Sequence, residues 1–325
     1  MLFRTHLPAP PANFSIGHSD RLLLLGSCFT ENMGFYLQKS KFNTLINPFG
    51  IVYNPVSIAN CVKRLLMGNQ YFTQDDLFEQ NGLWHSWEHH SRFSRPAAED
   101  TLQAINNEYA AAVRHLKASN RLLLTMGTSV VHILAESGQI VANNHKMPAR
   151  HFTTRRLTVG EVTEKLISVI EQTQAVMPNL KVVLTVSPVR HLSLGMVENQ
   201  RSKSVLLLAC DEICRRLPDA VCYFPAYEWL MDDLRDYRFY ASDMIHPSDI
   251  AIEYIWQQFQ ETFFAASVKS LNQRIEKICA AAQHRPFNPD TPQHRAFQLD
   301  QLHRIEALNY EYPHLDFTAE KQYFK

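Results

Sequence analysis

Four short apolar runs, Leu22–Leu25, Leu122–Met126, Val182–Val186 and Val221–Phe224, constrain this chain more than any other feature. Each is continuous rather than alternating, the pattern of a strand buried on both faces. A weaker run, Thr44–Ile46, precedes Asn47-Pro48-Phe49-Gly50. Helical patterns lie between them. Leu102, Ile105, Tyr109, Val113 and Leu116 recur at helical spacing. A second helix opens at Thr158, with Glu161 completing a capping box, and stops before Pro178. A third covers roughly Glu198–Leu217, and a fourth comes after His246-Pro247 with Ile252, Ile255, Trp256, Phe259 and Phe263 on one face. Strands alternating with helices in this rhythm predict a parallel sheet wrapped by helices on both sides.

Two regions break the alternation. Tyr71–Pro96 is rich in Trp, His and Phe, and reads as an insertion or hairpin near the site. Beyond Ala282, Arg285-Pro286-Phe287-Asn288-Pro289 and Thr291-Pro292 read as a linker, followed by a short helical stretch around Ala296–Leu308. The chain therefore divides into a main domain, 1–283, and a helical extension, 284–325, packed back on it.

With 325 residues, 46% of them hydrophobic, the chain can bury a sizeable core. Lys plus Arg and Asp plus Glu both number 32, so neither nucleic acid nor an anionic membrane is an expected partner. No apolar run approaches the roughly 20 residues that span a bilayer. The first residues lack the charged-then-apolar pattern of a signal peptide. The six cysteines are dispersed, with no pair of CxxC units for structural zinc. We expect a soluble, cytoplasmic protein with reduced thiols, no metal and no cofactor.

The chemistry gathers where strands end. Arg21–Leu25 runs into Gly26-Ser27-Cys28-Phe29, placing Ser27 at the carboxyl end of the first strand and the start of a helix. Open α/β sheets build their sites there. Helix N–H groups beside a serine favour developing negative charge. The competing reading is a helix-capping serine without chemistry. Far along the chain, Asp243 stands three residues before His246. A carboxylate at that spacing in a loop can hold the imidazole Nδ1, leaving Nε2 to take a proton from Ser27. The competing reading is a surface acid and a capping histidine. Gly127-Thr128 comes after the second strong strand, and its N–H or hydroxyl is a candidate site lining. Asn143-Asn144-His145-Lys146 comes after an apparent hairpin arm, Gly138–Val141; the amides are candidate oxyanion donors and Lys146 a candidate anion ligand, against a solvated loop. Arg190, in Ser187-Pro188-Val189-Arg190-His191, is a candidate for bidentate anion binding, or else for a salt bridge with Asp236 or Glu228. Cys28 is an alternative nucleophile, although a buried, inert thiol is the commoner fate.

Together these segments resemble the GSCFA family, a branch of the SGNH (GDSL-like) hydrolase superfamily. Gly26-Ser27-Cys28-Phe29-Thr30-Glu31-Asn32 is similar to the family's naming motif, and Asn47–Pro55 to its second block. Asn144–Pro148, Thr185–His191 and Leu234–Tyr240 extend the likeness, which covers roughly residues 20–265. It implies a three-layer α/β/α sandwich of flavodoxin-like strand order, with Ser27 as nucleophile, His246 as base and Asp243 as its partner. It also implies an oxyanion hole with a glycine, for which Gly50 is the candidate, and an asparagine. The chain departs from the pattern there: Gly127-Thr128-Ser129-Val130 stands where Gly-x-Asn-Asp is expected, so Thr128, Asn143 or Asn144 has to substitute. The expected activity is a serine esterase or deacylase acting on an ester of a small polar molecule or carbohydrate. Acyl transfer and a non-catalytic binding module are the alternatives.

Overall fold

The apolar runs become one parallel sheet of five strands: β1 (Arg21–Gly26), β2 (Asn43–Ile46), β3 (Arg121–Met126), β4 (Lys181–Val186) and β5 (Val221–Phe224). The computed structural model describes residues 5–325. Across the sheet the order is β2-β1-β3-β4-β5, the flavodoxin-like arrangement. Register places Leu24 beside Leu123, and Leu123 beside Val183.

Side chains alternate faces along each strand, so a continuous apolar run feeds two cores. Leu22, Leu24, Leu123 and Val183 pack with α1 (Cys28–Lys39) and, from further along the chain, Ile255, Trp256, Phe259 and Phe263. Leu23, Leu25, Leu122, Leu124, Val182 and Leu184 pack with α2 (Pro55–Met67), α3 (Ala98–Ala118), α4 (Val159–Val176) and α5 (Met196–Arg216). The distal aromatic residues belong to α6 (Asp249–Phe263). The result is a three-layer α/β/α sandwich. The capping box at Thr158 forms, its hydroxyl accepting from the Glu161 N–H at 3.2 Å.

The insertion contains an antiparallel hairpin, Leu77–Gln80 with Leu83–Ser86, turned by Asn81 and Gly82, both at positive φ. Its aromatic residues pack among themselves: Phe78 stacks on Trp87 at 3.7 Å and His85 lies 4.6 Å from His145. Burial drives the His89 imidazole down to about 3, so it is a neutral packing group. The Gly138–Val141 arm extends into a second antiparallel sheet joining Ile140–Val141, Val130–Leu134 and Phe152–Arg156, which the apolar pattern does not announce.

At the other end, α7 (Ala266–Gln283) is followed by α8 (Pro292–Glu311). α8 is longer than the expected stretch because Thr291 caps it, accepting from the His294 N–H, and Pro292 suits the first turn. Leu271, Ile275 and Ile278 of α7 form a separate cluster with Ile305, Leu308, Leu315, Phe317 and Phe324. Lys41 ties this extension to the main domain through Glu320 at 2.6 Å. Among the described residues, no helix is long and apolar enough to cross a membrane, and no group of three or more His, Cys, Asp or Glu is arranged to hold a metal ion.

Candidate active site

Gly26 ends β1 pressed against the neighbouring strand. Its φ is +147°, and a Cβ there would fall 2.2 Å from the Thr125 carbonyl oxygen of β3. Only glycine permits that approach. Ser27 then stands at the N-cap of α1, yet its side chain makes no capping hydrogen bond. It is 1% exposed, and Oγ has no hydrogen-bond partner among the described residues. The capping reading of Ser27 therefore does not describe its hydroxyl. Gly127, just past β3, backs onto it: a Cβ on Gly127 would lie 3.5 Å from Ser27 Cβ.

Asp243 and His246 meet as the spacing implied. Asp243 Oδ2 accepts from His246 Nδ1 at 2.6 Å, and Oδ1 accepts the N–H groups of Ile245 and His246 at 2.9 and 3.0 Å. Those donors, His246 N–H first, hold the Asp243 carboxyl down to about 2. The loop is closed by Ala241 N–H to His246 O at 2.8 Å and Ser248 N–H to Phe239 O at 2.8 Å. Ser248 then caps α6, so the histidine sits before a fixed helix start.

A cavity of about 220 Å³ brings the two halves together, lined by Ser27, Cys28, Gly127 and His246 with Tyr53, Ser187 and His191. It opens at the carboxyl edge of β1, β3 and β4, where the strand order reverses. No hydrogen bond joins His246 to Ser27. The His246 side chain is 47% exposed, whereas Ser27 lies deep.

Arg190 also lines the cavity but makes neither suggested salt bridge. Its guanidinium lies 4.2 Å from the Tyr240 ring centre and donates to Met244 O at 3.2 Å, while its N–H donates to Ile245 O at 3.3 Å. Arg190 thus clamps the loop that carries His246. We expect Arg190→Ala to loosen that loop and lower kcat while leaving Tm nearly unchanged, measured by ester turnover alongside thermal unfolding.

The expected oxyanion donors require correction. The Ser27 N–H donates to Thr125 O at 3.1 Å and the Gly50 N–H to Asn47 O at 2.7 Å, so neither is available. Thr128 Oγ1 pairs with Ser202 Oγ at 2.9 Å and accepts from Val130 N–H; it staples β3 to α5 rather than facing the cavity. Asn143 and Asn144 do not line the cavity either. Their side-chain oxygens accept the N–H groups of His145 and Lys146, residues held at positive φ of 49° and 59°. These bonds use the side-chain oxygens to support the left-handed pair. His145 is pinned to Ser86 O at 2.8 Å within the aromatic cluster, and Lys146 is exposed. Helix geometry leaves the N–H groups of Cys28 and Phe29, in the first turn of α1, without intrahelical acceptors.

Burial raises the Cys28 thiol above its usual range, so it is a poor nucleophile. Cys28→Ala should leave turnover largely intact, and iodoacetamide should inactivate the protein only slowly; fast inactivation tracking Cys28 alkylation would contradict this.

Tyr53, His191 and Lys203 were not among the site residues read from the sequence. Tyr53 and His191 lie in segments just past sheet strands, a position that was itself a signal. His191 faces the cavity, but burial lowers its imidazole, and among the described residues no carboxylate orients it. Lys203, on α5, is 1% exposed and donates to Ser187 O at 2.6 Å. Nothing in its sequence surroundings marks it, since a lysine on a mixed helix reads as solvated.

The GSCFA family model matches residues 21–259, and the model of the GSCFA C-terminal domain matches 275–325. The chain belongs to the GSCFA family. The C-terminal match begins inside α7, whose residues build the extension's own cluster. No curated protein matches the chain. Among solved structures, it is similar to a Streptococcus pneumonia protein provisionally described as a platelet activating factor, at 12% identity and a TM-score of 0.37, covering 74% of this chain and 83% of that one.

Proposed function

We propose that this GSCFA protein is a serine esterase or deacylase of SGNH type. The observation that carries the reading is the unpartnered, buried Ser27 Oγ in a cavity whose wall includes the Asp243-oriented His246. Ser27 Oγ attacks the acyl carbon as its proton passes to His246 Nε2. The tetrahedral oxyanion forms near the N-terminus of α1, where the Cys28 and Phe29 N–H groups and the helix dipole favour negative charge. His246 returns the proton to the departing alkoxide. Water, deprotonated by the same imidazole, then releases the acid.

Arg190 is shared with a second cavity of about 380 Å³ lined by Tyr227, Tyr237 and Tyr240. Aromatic faces mixed with charged side chains suit a polar, ring-bearing alcohol such as a sugar better than a long acyl chain. A second reading, a binding module on the same fold, is favoured by the missing oxyanion asparagine and the absent Ser27–His246 hydrogen bond. Acyl transfer to an alcohol uses the same residues with water excluded.

The test is covalent labelling by a fluorophosphonate, with peptide mapping, beside a screen of p-nitrophenyl esters and acetylated sugars. Adduct on Ser27 and turnover unaffected by EDTA are expected. Absence of both labelling and turnover, with retained sugar binding, would select the binding module.

A further inference from the structure

Lys203 is among the largest fully buried side chains of the protein, 1% exposed. Its ammonium donates to Ser187 O at 2.6 Å and lies 5.7 Å from the Tyr227 ring centre. Among the described residues it forms no ion pair with a carboxylate. The charged or titratable groups that face it are the Cys28 thiol at the start of α1, His191 after β4, and the Tyr227 phenol. An ammonium buried without a counter-charge destabilises a fold, and an apolar side chain of similar length would fill the space better. A buried, perturbed polar group beside a cleft is a candidate for a role in the site.

The partner identifies what it serves. Ser187 lines the Ser27 cavity, and its N–H is held by Met126 O of β3 at 2.8 Å. Three residues on, Arg190 binds the backbone of Met244 and Ile245, directly before His246. A continuous chain of contacts therefore runs from the Lys203 ammonium through segment 187–190 to the base. We infer that Lys203 is a positioning residue, its buried Nζ donor fixing the Ser187 carbonyl so that Arg190 holds the His246 loop over Ser27. This inference rests on the hydrolase reading of the cavity.

Burial lowers the lysine to about 7, far below its ordinary value. The unfolded chain therefore binds the extra proton between about 7 and the ordinary lysine value of about 10.4, so native stability rises with pH across that window. Below about 7 the burial penalty is present in full.

The experiment compares wild type with Lys203→Met by thermal unfolding from pH 6 to 10, by ester kinetics, and by the NMR signal of the His246 Nδ1 proton shared with Asp243. We expect opposite signs: Tm rises by a few degrees near pH 7 and its pH slope flattens, while kcat falls by about 10²-fold with KM little changed, as for a misplaced reacting group. The Nδ1 proton should broaden or shift. A Lys203→Met protein that loses stability and activity together shows an ordinary structural lysine and overturns the proposal. So does one whose kcat and Nδ1 signal both match wild type. If wild type itself turns over no ester, the hydrolase reading has failed, while the Nδ1 signal still reports whether Lys203 holds the loop.

Discussion

Replacing Ser27 with alanine should lower ester turnover by at least about 10³-fold, because triad members act as a unit and what survives comes from binding and oxyanion contacts. The same substitution should not harm the fold. A capping serine normally contributes about 1 kcal/mol, but Ser27 makes no cap bond. Its hydroxyl is instead a buried polar group without a partner, and removing one is neutral or favourable. Kinetics on p-nitrophenyl acetate and thermal unfolding of the same preparation check both halves. Full activity in Ser27→Ala would remove the nucleophile assignment whatever its stability.

Asp243→Asn is expected to cost up to about 10⁴-fold in turnover while leaving the loop in place, the size of effect seen when a triad carboxylate becomes an amide. The Asn side-chain oxygen can still accept the N–H groups of Ile245 and His246, as Asp243 Oδ1 does. Its NH₂ cannot accept the His246 Nδ1 proton that Oδ2 takes at 2.6 Å. The imidazole then carries its proton on Nε2 and has no lone pair for Ser27. Because the folded Asp243 carboxyl is held near 2, its contribution is present above the ordinary aspartate range and is lost as pH falls toward that value. An acid limb in the rate at higher pH therefore belongs to another group. Undiminished turnover by Asp243→Asn would make the pair a structural staple.

Much of this was readable in one dimension. Leu22–Leu25 and its counterparts predicted strands buried on both faces because one core packs Leu22 and Leu24 and the other Leu23 and Leu25. The candidate site's location came from the same pattern, since the strands' carboxyl ends carry Ser27, Gly127 and Ser187. The antiparallel sheet was missed although Val130–Leu134 is itself an apolar run, because its partners, the two-residue Ile140–Val141 and the largely polar Phe152–Arg156, carry none. Thr128 and Asn144 were misread for a different reason. Both have suitable chemistry and suitable positions in the chain, but Thr128 is bonded to Ser202 and Asn144 does not line the cavity.

Sequence alone determined the central parallel sheet and the pairing of Asp243 with His246. Apolar period is a local property, and three residues of loop keep an acid within reach of a histidine. Tertiary structure decided which polar groups face the cavity. Thr128 is turned away by Ser202, Arg190 is drawn onto Tyr240 and Met244, and Lys203 reaches Ser187. A buried polar side chain points where its hydrogen-bond partner is. For these residues the partner lies on another element, at a place that exists only once the layers have packed.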